Sequence, residues 1–126
     1  MGRIILADDD EIVAELVSEV LIDAGHAVGW LKDGKSALDV IRQRPPDLII
    51  LDCNMPEMSG MEVLRELRKS IDLYDIPVLM LTGRQSESDE RIVRYEGAND
   101  YLRKPFDPVD LIGKAETLMR GERTLG

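Results

Sequence analysis

At 126 residues and a formal net charge of −9, the chain has room for one domain with a sizeable core and none for a second of ordinary size. The acidic balance argues against a basic nucleic-acid face, and apolar runs no longer than IILA, DLIIL and PVLML exclude a helical membrane span. The single cysteine, Cys53, rules out an internal disulfide; with no charged-then-apolar leader visible, a cytoplasmic location is expected.

Short apolar runs alternate with longer stretches of helical period. Arg3 to Ala7 is expected as a first strand, leading into a helix where Ile12, Val13, Leu16, Val17, Val20 and Leu21 recur at helical spacing. Gly25 stops that helix and His26 to Trp30 forms a second strand. Asp33-Gly34 reads as a turn, and Ala37, Leu38 and Ile41 mark a helix that ends before Pro45-Pro46. Asp47 to Asp52 is a third strand, apolar on both faces. Ser59 and Glu62 stand in the capping-box relation and open a helix carrying Met61, Leu64 and Leu67. Pro77 to Thr82 is a fourth strand, its proline at the tolerated first position. A polar helix over Ser86 to Gly97 and a fifth strand over Asn99 to Arg103 follow. Asp107-Pro108 caps a last helix with Leu111, Ile112, Ala115, Leu118 and Met119 inward.

Five such units with continuous apolar central strands imply an α/β fold, a five-stranded parallel sheet covered by helices on both faces. Right-handed crossovers favour the doubly wound, flavodoxin-like arrangement with strand order 2-1-3-4-5. Residues 1–120 form the expected domain, and 121–126 a tail or the start of a linker.

In open parallel sheets, sites form beyond the carboxyl ends of the strands. The residues there are Asp8 and Asp9, Asp52, Thr82 and Lys104. Carboxylates in contact repel by roughly 4 kcal/mol per pair at an effective dielectric near ~20, and a divalent cation relieves that repulsion. An all-oxygen site with few protein ligands suits Mg²⁺. Lys104 adds a point charge and Thr82 a hydroxyl donor, both useful against a phosphoryl group. These are the parts needed for transfer onto an aspartate. Other residues have plainer readings. Asp10 and Glu11 are first-turn helix acids, His26 is structural, Cys53 is a small buried hydrophobe, and Trp30 is packing.

The blocks LADDD (Leu6 to Asp10), DLIILDCNMPEMSG (Asp47 to Gly60), VLMLTG (Val78 to Gly83) and GANDYLRKPF (Gly97 to Phe106) resemble, in order and spacing, the signatures of response-regulator receiver domains of two-component signalling, the CheY-like superfamily. The resemblance implies that Asp52 is the phosphoacceptor and Asp9 a direct Mg²⁺ ligand. Asp8 would act mainly through metal-bound water, and the Asn54 backbone carbonyl would complete the protein ligands. It implies Thr82 as the hydroxyl that closes on the phosphoryl group, Lys104 as its ammonium partner, Tyr101 as the switch aromatic and Lys104-Pro105 as a cis peptide. It further implies that Asn54 and Arg84 occupy the positions that tune dephosphorylation. The implied partners are a sensor histidine kinase or histidine phosphotransfer protein, and an output protein or C-terminal output domain; direct nucleic-acid and membrane binding are not implied. The change would be read at the face of the fourth helix, fifth strand and fifth helix. The domain would be a phosphoacceptor taking part in its own phosphorylation and dephosphorylation, not an enzyme. A haloacid-dehalogenase-type phosphatase would need a second aspartate where Asn54 stands. A flavin module would need a phosphate cradle where the chain reads DDDE, and a scaffold receiver would not need every phosphorylation residue.

Overall fold

The structure, a computed structural model, describes residues 1–83 and 87–121, with side chains for all of these but 87–89. In chain order the elements are β1 (Arg3–Ala7), α1 (Glu11–Asp23), β2 (Ala27–Leu31), α2 (Gly34–Gln43), β3 (Leu48–Asp52), α3 (Gly60–Lys69), β4 (Val78–Thr82), α4 (Glu87–Tyr95), β5 (Asp100–Arg103) and α5 (Pro108–Met119). The strands form one parallel sheet in the order β2-β1-β3-β4-β5, the arrangement expected from the sequence. β2, β3, β4 and β5 each begin one residue later than the apolar runs suggest.

The pleat explains why the central strands are apolar on both faces. Alternate residues point to opposite sides, so one core takes Ile5, Ala7, Ile49, Leu51, Val78 and Met80 and is closed by α2, α3 and α4. The other takes Ile4, Leu6, Leu48, Ile50, Leu79 and Leu81 and is closed by α1 and α5. β3 and β4 are buried throughout. The side chains at their carboxyl ends, Asp52 and Thr82, are therefore set by a sheet packed on both faces.

Two local features go beyond the sequence pattern. α1 turns Ala14, Val17 and Leu21 inward, with Val13 and Val20 partly covered, while Ile12 is 81% and Leu16 42% exposed. Its apolar stripe is wider than the strip of sheet and α5 that can cover it. Asp33-Gly34 is a helix start instead of a free turn: the Asp33 side chain accepts from the Ser36 N–H, and Gly34 is the first residue of α2. A Cβ on Gly34 would lie 1.9 Å from the Met58 carbonyl oxygen, so α2 docks onto the β3–α3 loop through its missing side chain.

The Ser59–Glu62 capping box is formed in both directions and starts α3. Asp107 caps α5, accepting from the Val109 N–H, with Pro108 at the position that needs no donor. Ser86 lies outside the described residues. His26 accepts from the Gly2 N–H through Nδ1 at 3.0 Å, and its Nε2 lies 2.9 Å from Glu116 Oε2. It thus joins the start of β1 to α5, a structural role.

Candidate functional site

Asp10, and not its two neighbours, caps α1: its side chain accepts from the N–H groups of Ile12 and Val13. It is the cap itself where the sequence suggested a first-turn acid. Asp8 and Asp9 are thereby left to face the end of β3. One carboxylate oxygen from each of Asp8, Asp9 and Asp52 lies within 4.8 Å of the others. Lys104, just past β5, reaches into the cluster, its Nζ 3.1 Å from both Asp8 Oδ2 and Asp52 Oδ1. The Lys104-Pro105 peptide bond is cis. Thr82, at the end of β4, is buried, and its Oγ1 hydrogen-bonds to none of the described residues. A buried hydroxyl without a hydrogen-bond partner is costly in a protein interior.

Burial and the neighbouring Asp8 carboxylate push the Asp52 carboxyl up to about 6, with Lys104 opposing them. Burial alone would lower the Lys104 ammonium, but Asp52 and Asp8 outweigh it and hold it above its ordinary range. The ammonium partly neutralises three crowded carboxylates, and the cluster keeps excess negative charge. All-oxygen donors at this spacing fit a small hard cation.

A groove of about 420 Å³ adjoins the site, lined by Cys53, Asn54, Ser59, Met61, Thr82, Gly83, Ile92 and Val93. Cys53 is only partly buried where a buried side chain was expected, packing against the core and lining this groove. Tyr101 lies at the edge of the sheet, partly buried against the core that α4 helps close. Arg84 lies outside the described residues.

Two supporting residues escape a sequence reading. The Trp30 indole donates to the Asp8 backbone carbonyl at 2.7 Å, pinning the loop that presents the acids; only the β1–β2 register, which pairs Leu6 with Trp30, brings them together. Gly60 donates its N–H to the Cys53 carbonyl at 3.0 Å. A Cβ there would sit 2.1 Å from the Asp52 carbonyl oxygen and 2.9 Å from its carbon. Because the obstacle is backbone, Gly60→Ala is expected to destabilise the domain by about 2 kcal/mol or more, read as a lower urea midpoint. An unchanged midpoint would show that the loop yields freely.

The fold and site define a class: a doubly wound α/β domain with an acidic cluster, a lysine and a buried hydroxyl at the carboxyl edge of its sheet. The family description "Response regulator receiver domain" matches residues 4–116, and the chain belongs to that family. It is 41% identical over 118 residues to the "Response regulator MprA" of Mycolicibacterium vanbaalenii, covering 94% of this chain and 50% of that protein. The chain thus spans about half the length of the curated relatives it matches. Among solved structures it resembles a putative response regulator from Chloroflexus aurantiacus, with TM-score 0.91, 33% identity and coverage of 94% of this chain and 98% of that one. It also resembles the chemotaxis response regulator CheY4 of Vibrio cholerae, with TM-score 0.83, 36% identity and coverage of 95% and 98%. The domain is a receiver of two-component signalling. No helix among the described residues is long and apolar enough to cross a membrane.

Proposed function

We propose that Asp52 accepts a phosphoryl group from the phosphohistidine of a sensor histidine kinase or histidine phosphotransfer protein. An Asp52 carboxylate oxygen attacks phosphorus, the bond from phosphorus to the histidine nitrogen breaks, and the imidazole leaves with that electron pair. The observation that carries the reading is the Lys104 ammonium 3.1 Å from Asp52, beside a buried Thr82 hydroxyl with no described partner. Both are donors suited to the phosphoryl oxygens, where charge gathers during transfer. With its carboxyl near 6, Asp52 is mostly ionised at neutral pH and able to act as nucleophile. This is a phosphoacceptor's chemistry, in which the domain takes part in its own phosphorylation and dephosphorylation and turns over no external substrate. A small phosphodonor with Mg²⁺ should add one base-labile phosphoryl group by intact mass; no mass increase would overturn the reading.

Asp9 and Asp52 are the direct carboxylate ligands in this reading, with the Asn54 carbonyl beside them and Asp8 acting mainly through water. Bound there, Mg²⁺ supplies positive charge against the phosphoryl oxygens. Asp9→Asn removes one charge from a repelling cluster, so its metal-free unfolding temperature should exceed that of wild type. It should also lose most of the stabilisation that added Mg²⁺ gives by binding the native state. A lower metal-free midpoint would make Asp9 a structural carboxylate.

Thr82 moving onto the phosphoryl group vacates space beside Tyr101, which couples the site to α4, β5 and α5. That face is the one offered to an output protein or a C-terminal output domain. Residues 1–120 act as the receiver, working in the cytoplasm with such partners.

A further inference from the structure

Asp100 opens β5 with a side chain only 1% exposed. Its Oδ1 accepts from the Tyr101 N–H at 2.8 Å and faces Arg94 Nη2 of α4 at 3.4 Å. Its Oδ2 faces Lys114 Nζ of α5 at 3.1 Å. The same two cations lie against the Tyr101 ring, Arg94 with its guanidinium carbon 4.8 Å and Lys114 with its Nζ 5.9 Å from the centroid. The Tyr101 hydroxyl meets Glu90 on α4, which also holds Arg103. A buried carboxylate needs its counter-charges, so Arg94 and Lys114 are not free to follow the ring. If Tyr101 moves, it leaves both behind.

We propose that Asp100 is a positioning residue for Tyr101: it anchors Arg94 and Lys114 against the ring and so weights the domain toward the ring position seen in this structure. The proposal rests on the reading that Tyr101 changes place when the site is phosphorylated. A cation near an aromatic face is attracted to it, more strongly where both are partly desolvated. The attraction is lost on movement, so it sets the resting ratio of the two ring positions. Two helices contribute one cation each, which makes that ratio sensitive to anything that shifts α4 or α5.

The test uses 3-fluorotyrosine-labelled protein and fluorine NMR, with the Tyr101 signal assigned by Tyr101→Phe. Beryllium fluoride with Mg²⁺, a phosphoryl mimic, should move that signal in wild type. Lys114→Met should move the mimic-free signal toward the mimic-bound position, matching about a three- to tenfold rise in the moved population. The further shift on adding mimic should shrink in proportion. Lys114→Arg, which keeps the cation, should restore the wild-type signal. A Lys114→Met signal at the wild-type position overturns the proposal. So does equal displacement of the mimic-free and mimic-bound signals, which marks a direct effect of the lost charge. If the mimic leaves the wild-type signal in place, the switch reading beneath the proposal fails, and the proposal with it.

Discussion

Asp52→Asn is expected to take up no phosphoryl group from a small phosphodonor under conditions where wild type is labelled. The amide has nearly the shape of the carboxylate but neither its charge nor its nucleophilicity, so the loss belongs to the chemical step and not to folding. A reduction of at least about 100-fold is expected, more than about 2.7 kcal/mol in the barrier. Asp8 and Asp9 bracket the same space, yet of these three described acids Lys104 hydrogen-bonds Asp8 and Asp52. Asp8 is fully buried and its Oδ1 accepts from the Asp10 N–H at 2.9 Å, which leaves Asp52 as the acid best placed to receive the group. Intact mass after brief labelling, with base treatment as the check for an acyl phosphate, gives the result. Labelling of the Asn variant at the wild-type rate would move the acceptor elsewhere.

The second large effect concerns the metal-free protein and pH. The Asp52 carboxyl lies near 6 in the native state against an ordinary 3.8. The folded protein therefore holds this proton more tightly than the unfolded chain. Between about pH 4 and about pH 6 the unfolded chain has released the proton while the native state retains it, so stability attributable to Asp52 falls as pH rises through that window. At about 1.36 kcal/mol per unit the loss approaches ~3 kcal/mol and is complete by about pH 7. Asp52→Asn is neutral at every pH and escapes it. The stability gap between variant and wild type in chelator should therefore open from near zero at about pH 4 to about 3 kcal/mol at pH 7. Urea unfolding at a series of pH values measures the gap, and carboxylates remote from Asp52 cancel between the two proteins. A gap that does not change with pH would mean Asp52 titrates as an ordinary aspartate.

The core of this fold was legible because β1, β3 and β4 are apolar on both faces through Ile4–Ala7, Leu48–Leu51 and Val78–Leu81, the pattern of strands covered on both sides. The meeting of Asp8, Asp9, Asp52 and Lys104 was legible for a related reason: each stands where a strand ends, and parallel strands end on one side. α1 was less so. Ile12 and Leu16 fit the helical period as well as Val17 does, and period alone does not say how wide a strip the sheet will cover. The small Ala14 is fully buried there because close packing favours a short side chain, a preference a hydrophobic pattern does not express. Trp30 and the partners of His26 depend on contacts across many residues of chain. Glu116, for example, lies 90 positions from His26. No local spacing announces such pairs.

The indole of Trp30 rests on the carbonyl of Asp8 with the Lys32 ammonium 5.7 Å from its ring centroid, and it is the only tryptophan in the chain. Indole emission responds to nearby charge and to the strength of its own hydrogen bond. A cation entering beside Asp8 alters both, and does so at a single fluorophore with no other tryptophan to mask it. If Mg²⁺ binds as proposed, the domain carries its own optical gauge of the event, readable without any label.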